Sequence, residues 1–291
     1  MNPALPHHPR LGRWPVVLFL MLAGVAYAVE APAPAAKAPA VANSECMDCH
    51  EAEFKPRKKG EPPVWIGVRP ELFAKSVHGK LNCVDCHADI KEAPHDAKLA
   101  PAQCASCHEQ EVKQYATSIH SVSHQMGGTD AASCTSCHGT HDMVPVKQLD
   151  SPVFKLNLAK TCGTCHDDPK LTKEYRMGQS KAAGHYLDSI HGRALMKMGL
   201  VVAPSCNDCH GVHDIKRTID KESHTNHANV AKSCGKCHLG IEETYNQSVH
   251  GQLLLKGDKK GPVCIDCHSA HDIEKPATAH FKGLSDLSCG K

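Results

Sequence analysis

The sequence predicts a chain of mostly irregular coil with short α-helices and little or no β-structure. The first observation is compositional: 291 residues include 17 Cys and 23 His, against only 5 Phe, 5 Tyr and 2 Trp. An ordinary domain of this length would bury a large aliphatic and aromatic core. The second observation is that no segment alternates convincingly as a strand, whereas Gly and Pro interrupt the chain often. The interior is therefore expected to be supplied by something that Cys and His bind.

The first 28 residues have the layout of a secretory signal peptide. Arg10 and Arg13 precede an apolar stretch over residues 14–26, and Ala26-Tyr27-Ala28 fits the small-x-small cleavage rule. Because the apolar stretch is short for a membrane span, we expect export with cleavage after Ala28. The alternative is an uncleaved anchor that leaves the rest of the chain in the same exported compartment. Residues 29–43 follow as an Ala/Pro-rich tether.

Sixteen of the 17 cysteines fall into eight copies of Cys-x-x-Cys-His, numbered here as motifs 1 to 8 in chain order. Two thiols at this spacing reach the two vinyl groups on one edge of a haem and form thioethers, and the adjacent His becomes the proximal iron ligand. The predicted attachment residues are Cys46, Cys49, Cys83, Cys86, Cys104, Cys107, Cys134, Cys137, Cys162, Cys165, Cys206, Cys209, Cys234, Cys237, Cys264 and Cys267. The predicted proximal ligands are His50, His87, His108, His138, His166, His210, His238 and His268.

Three other interpretations explain less of this pattern. Zinc sites need four ligands but do not require a His after every second Cys. A disulfide scaffold suits an exported chain but leaves all eight histidines without a role. A thioredoxin-like motif would occur once, within a βαβ pattern that this sequence lacks. The sequence therefore predicts eight covalently bound haem c groups.

A second set of eight histidines matches the eight irons. Four of them end an aromatic-x-x-Ser-(Val/Ile)-His frame, three follow a motif in a His-x-x-His-Asp frame, and one stands between a Pro and an Asp. The predicted distal ligands are His78, His120, His191 and His250, then His141, His213 and His271, and finally His95. The Asp after each of the last four is predicted to accept the imidazole N–H. The spare histidines are His124, His185, His224, His227 and His280, with His185 and His224 as the candidate substitutes.

The motifs recur in pairs, and residues 134–165 align with residues 206–237. We predict a stack of haems in place of a core, with Glu109–His120 and Leu239–His250 as short helices. The predicted organisation is a signal peptide at 1–28, a tether at 29–43, and two-haem units 1 to 4 at 44–103, 104–161, 162–233 and 234–288. Residues 289–291 begin an interrupted further motif, because Ser288-Cys289-Gly290-Lys291 repeats Ser233-Cys234-Gly235-Lys236. The hypothesis is that this is the N-terminal part of a longer protein, and the alternative is a vestigial Cys289.

The motifs Ser-(Val/Ile)-His-Gly and Cys-x-x-Cys-His-Gly-x-His-Asp resemble those of bacterial multihaem c-type cytochromes. The resemblance covers residues 46–289 and extends to periplasmic bis-His members, including the decahaem outer-membrane electron conduits. It implies low-potential one-electron carriers that act between a quinol-linked donor and a terminal reductase or an outer-membrane or extracellular acceptor. Some similar proteins continue into a membrane-embedded b-type cytochrome. The resemblance therefore implies a cytochrome of this type as a partner or as a C-terminal continuation.

The predicted function is electron transfer in the periplasm and not catalysis. The alternative is a multihaem reductase of nitrite, hydroxylamine or a sulfur oxyanion, which needs one haem with an open distal site. All eight motifs are regular and distal His residues are abundant, so electron transfer explains the ligand supply better. The formal charge of +2, with interleaved signs, gives no reason to expect nucleic-acid binding.

Overall fold

The structure is a computed structural model that describes residues 41–51, 67–96, 99–278 and 282–283. The predicted signal peptide, most of the tether and the motif start at Cys289 lie outside the described residues. Within them, the secondary structure is made of short helices and contains no strand, which confirms the predicted fold class. In the same ranges, no helix is long and apolar enough to cross a membrane.

Fifteen α-helices lie in the described residues, and none is longer than nine residues. In chain order they are α1 Asn43–His50, α2 Pro70–Phe73, α3 Cys83–Cys86, α4 Glu109–Ala116, α5 Ile119–Gln125, α6 Cys134–His138, α7 Leu158–His166, α8 Pro169–Glu174, α9 Ala182–Asp188, α10 Ile190–Met196, α11 Cys206–His210, α12 Val230–Gly235, α13 Leu239–Gln247, α14 Val249–Leu255 and α15 Cys264–His268. A 3₁₀ turn, Cys104–Ser106, begins motif 3.

The second motif of each unit begins its own helix at the first Cys. In α6, α11 and α15 this helix also ends at the predicted proximal His. Gly139 and Gly211 follow with φ of +81° and +87°, a positive φ that interrupts the helix and that glycine adopts without strain. Ser269 takes the same place with φ of +60°. The motif is thus a single helical turn with a defined end.

Each helix that was predicted to run through a Ser-x-His frame is two helices. Thr117 and Ser118 lie between α4 and α5, and Ser248 lies between α13 and α14. Ser118 and Ser248 are extended, with ψ of 157° and 164°, and each side chain accepts a hydrogen bond from the backbone N–H three residues later. Serine is a preferred N-cap because its oxygen satisfies a backbone N–H that the first turn leaves without a partner. The prediction of one helix over 109–120 and 239–250 was therefore wrong at its end. The predicted distal His lies in the first turn of the second helix.

The chain buries few large apolar side chains of its own. A small cluster contains Ala194, Leu195 and Ala203, with Leu156 packed against it. Several large side chains are exposed, including Met198 and Val202 at 72% each. The small core agrees with the composition, which predicted that the interior is not supplied by apolar side chains.

The sequence repeat is also a repeat of structure. The Asn157 side-chain amide donates to the carbonyls of Leu149 and Ser151, both at 2.8 Å. The Asn229 amide makes the same two bonds, at the same 2.8 Å, in the next unit. Each Asn holds the loop that precedes the first motif of the following unit, so the aligned segments fold alike.

Candidate functional site

The described residues contain seven histidine ring pairs, and each pair joins a predicted proximal to a predicted distal His. The distances between ring centroids are 5.8 to 6.2 Å. The pairs are His50–His95, His78–His108, His87–His141, His120–His166, His138–His213, His191–His238 and His210–His271. The structure thus brings seven residues of each predicted ligand set together, with one residue of each set in every pair.

The spacing of these rings fits one iron between each pair. Two metal–nitrogen bonds of about 2 Å, with roughly 1 Å from each nitrogen to its ring centre, put two axial imidazoles about 6 Å apart between centroids. If the imidazoles only packed against each other, nothing would hold all seven pairs to the same centroid distance. In the part of the chain that the structure describes, no group of three or more His, Cys, Asp or Glu side chains could hold a metal ion directly. The residues that are present therefore suit haem axial ligation.

Six of the seven pairs join neighbouring units. Three of the four Ser-x-His histidines, His78, His120 and His191, each face the first motif of the next unit, as His120 of unit 2 faces His166 of unit 3. The second His of each His-x-x-His-Asp frame, which we call the trailing His, faces the second motif of the previous unit. His213 of unit 3, for example, faces His138 of unit 2. At each boundary, a predicted distal His of either unit therefore faces a predicted proximal His of the other unit. Only His95, which faces His50, pairs within its own unit among the described residues.

A backbone hydrogen bond accompanies each exchange. The donor is the backbone N–H of the residue just before the histidine of the Ser-x-His frame. The acceptor is a backbone carbonyl in the next unit, two residues after its trailing His. The three bonds are Val77 to Met143 at 2.9 Å, Ile119 to Ile215 at 2.8 Å, and Ile190 to Ile273 at 2.8 Å. The two predicted distal ligands at each unit boundary therefore lie on segments that are bonded to each other.

The attachment cysteines of each unit also meet. In all four units, the first Cys of one motif lies near enough to the first Cys of the other motif to raise its pKa. The pairs are Cys46 with Cys83, Cys104 with Cys134, Cys162 with Cys206, and Cys234 with Cys264. Burial, and then the Cys46 thiol, raise the pKa of Cys83 to about 11. The first cysteines of the two motifs therefore lie close together in each unit.

Burial keeps many of the paired imidazoles uncharged. It lowers the pKa of His120 and of His166, and the charge of the facing ring adds to the effect at His120. At His210, burial and then His271 lower the pKa to about 4. Iron binds the lone pair of a neutral imidazole, so a lowered pKa suits a ligand.

Two predicted distal histidines have a hydrogen-bonded Nδ1, which leaves Nε2 for a metal. His271 Nδ1 is paired with Gln179 Oε1, and His95 Nδ1 lies 2.8 Å from the Asp96 carbonyl. The partner of His271 Nδ1 is Gln179 and not the Asp272 carboxylate, so the predicted role for the Asp after His271 was wrong. Gln179 was not predicted, because it lies outside the repeated frames and carries no pattern.

His250 and His268 complete the two predicted sets. His250 is exposed in the first turn of α14, and no ring pair that includes it occurs within the described ranges. His268 ends α15, where burial and the charge of His238 lower its pKa. The two candidate substitutes lie beside the His210–His271 pair, since His224 lowers the pKa of His210 and His185 lowers that of His271.

Comparison with known families identifies one similarity. Residues 75–167 match the family model of cytochrome c3. This segment contains motifs 2 to 5, with four of the eight predicted haem sites. No curated protein and no solved structure matches the chain. The match supports a multihaem electron-transfer cytochrome c.

Proposed function

We propose that this protein is a periplasmic octahaem c-type cytochrome that carries electrons through bis-His haems. Its donor is quinol-linked, and its acceptor is a terminal reductase or an outer-membrane or extracellular acceptor. The similarity to cytochrome c3 supports the multihaem class. The observation that carries the finer proposal is the repeated spacing of 5.8 to 6.2 Å between predicted proximal and distal rings.

In this proposal the side chains have three roles. The cysteines of each motif fix one edge of a haem, and the His that follows them supplies one axial nitrogen. The distal His supplies the other and leaves no axial position for a substrate. A bound haem of this kind exchanges single electrons at a low potential. The polypeptide sets where each haem is attached and how far it lies from the next.

The cysteine contacts support an electron path that follows the order of the motifs. Within units, the first Cys of one motif is near enough to raise the pKa of the first Cys of the other. Between units, Cys104, Cys165 and Cys237 of the next motif raise the pKa of Cys86, Cys137 and Cys209, respectively. If a thioether attached a haem edge at each of these sulfurs, each haem would lie near the attachment site of the next. A chain of such contacts suits a conductor and not a single reaction centre.

Two measurements on the purified holoprotein test the proposal. A pyridine haemochrome titration against protein mass should give eight haems per chain, and fewer than seven would contradict it. Electron paramagnetic resonance with near-infrared magnetic circular dichroism should give low-spin bis-His ferric haems. A high-spin ferric haem that binds cyanide or nitrite in the unmodified protein would favour the reductase alternative instead.

A further inference from the structure

In three of the four units, one peptide bond is hydrogen-bonded to side chains through both its carbonyl and its N–H. It lies just before the first Cys of the second motif. Its carbonyl accepts a hydrogen bond from a tyrosine hydroxyl, and its N–H donates to a side chain inside the motif. The carbonyl bonds are Tyr115 to Ala132 at 2.8 Å, Tyr186 to Pro204 at 2.8 Å, and Tyr245 to Pro262 at 3.0 Å. The N–H bonds are Ser133 to Ser136 at 3.0 Å, Ser205 to Asp208 at 2.7 Å, and Val263 to Asp266 at 2.7 Å.

Unit 1 reaches the same arrangement with a different residue. Phe73 stands at the tyrosine position and has no hydroxyl. The carbonyl of Leu81 accepts instead from the side-chain amide of Asn43, at 3.1 Å, while Asn82 N–H donates to Asp85 at 2.7 Å. Asn43 Oδ1 also accepts from Cys83 N–H at 2.8 Å. The same peptide bond is thus held in all four units, although the donor differs.

The second motifs need this support because of where their helices begin. Motifs 1 and 5 lie inside helices that begin upstream, at Asn43 and Leu158, and the first Cys of motif 7 lies in a helix that begins at Val230, so a preceding turn orients the first Cys of each. The helices of motifs 2, 4, 6 and 8 begin at the first Cys itself. A helix start leaves its first N–H groups without intrahelical partners, and no upstream turn fixes its direction.

We propose that Tyr115, Tyr186, Tyr245 and Asn43 are positioning residues that set the orientation of the haem attached to the second motif of each unit. The proposal rests on the proposed function, since it assigns these residues to bound haems. The tyrosines also stand in the helix that leads to the capping serine and the Ser-x-His ligand. Tyr186 therefore fixes the haem of motif 6 to the segment whose His191 faces motif 7. The haems on the two sides of a unit boundary are then held by one rigid segment.

The test replaces the hydroxyl of Tyr186 in the full holoprotein. Tyr186→Phe keeps the ring but removes the bond to Pro204, and Tyr175→Phe removes a hydroxyl outside this arrangement. We expect Tyr186→Phe to keep eight low-spin haems and to change the Soret circular dichroism couplet, which reports the relative orientation of neighbouring haems. Amide exchange over residues 203–210 should rise about five- to tenfold, as for one lost hydrogen bond. Tyr175→Phe should change neither signal.

A second variant keeps the proposal testable if Tyr186→Phe does not mature. Asn43→Asp retains an acceptor for Cys83 N–H but removes the donor to Leu81, and it should change the couplet in the same way. An unchanged Soret couplet in whichever variant matures would overturn the positioning role. The haem count separates the two proposals: eight haems with an unchanged couplet in a variant refutes only the positioning role, whereas an unmodified protein without haem refutes the proposed function.

Discussion

The rings of His120 and His166 face each other at 6.2 Å between centroids, although the two residues belong to consecutive units. His120 follows the capping serine of one unit, and His166 ends the first motif of the next. Both are largely buried, and burial lowers the pKa of each. If an iron lies between them, removal of one ring must open one axial position on one haem and leave the other haems unchanged.

The first prediction follows from that pair. His120→Ala should convert one of the eight haems to a high-spin form that binds cyanide, because the alanine supplies no nitrogen and the site is not otherwise filled. His124→Ala is the matched control, since His124 is exposed in the same helix. Quantitative electron paramagnetic resonance checks both variants. A fully low-spin spectrum for His120→Ala would contradict the assignment of His120.

The second prediction tests the exchange of ligands between units. His141 follows motif 4 in sequence but faces His87 of motif 2, at 6.2 Å. The double variant His87→Ala/His141→Ala should therefore disturb one haem, because both residues would serve the same iron. His138→Ala/His141→Ala should disturb two. If the counts are reversed, His141 serves the motif next to it in sequence. The high-spin fraction of each double variant gives the count.

The sequence predicted both ligand classes but not their pairing. A Cys-x-x-Cys-His motif has a local chemical reason, so the eight predicted proximal sites follow from the spacing alone. The partner of His141 depends on where a different unit folds against it, and no local pattern records this. The break at Ser118 could have been predicted from its N-cap preference, whereas Asn43 was assigned to the tether and its bonds to Leu81 and Cys83 depend on tertiary structure.

The third prediction concerns the haem that we propose between His210 and His271. Gln179 Oε1 is bonded to His271 Nδ1, and such a bond makes the imidazole a stronger donor to ferric iron. Gln179→Leu removes it and should raise the reduction potential of one haem. A tenfold loss of relative affinity for ferric iron corresponds to about 60 mV in a one-electron couple. Spectroelectrochemical titration measures the shift, and an unchanged potential would show that the bond does not tune this ligand.

The fourth prediction concerns the turn that carries the Ser-x-His ligands. A Cβ at Gly192 would lie 2.0 Å from the Tyr186 carbonyl oxygen, which belongs to the backbone and cannot rotate away. Gly192→Ala should therefore destabilise the protein by about 1–3 kcal/mol. Gly240, in helix α13, has nothing within 4 Å, so Gly240→Ala should be neutral or stabilising. The midpoints of chemical unfolding compare the two, and equal midpoints would contradict the close contact.

The last prediction is the response to acid. The pKa of His210 falls from 6.5 in the unfolded chain to about 4 in the folded one, chiefly through burial. Between these values the unfolded chain binds more protons, so the free energy of unfolding rises with pH. Stability from this group is complete above pH 6.5 and is lost as the pH falls towards 4. Protonation also removes the lone pair that iron would take, so the low-spin fraction should decrease in the same direction. Unfolding midpoints and electronic spectra recorded from pH 7 to pH 4 test this, and greater stability at pH 4 would contradict it.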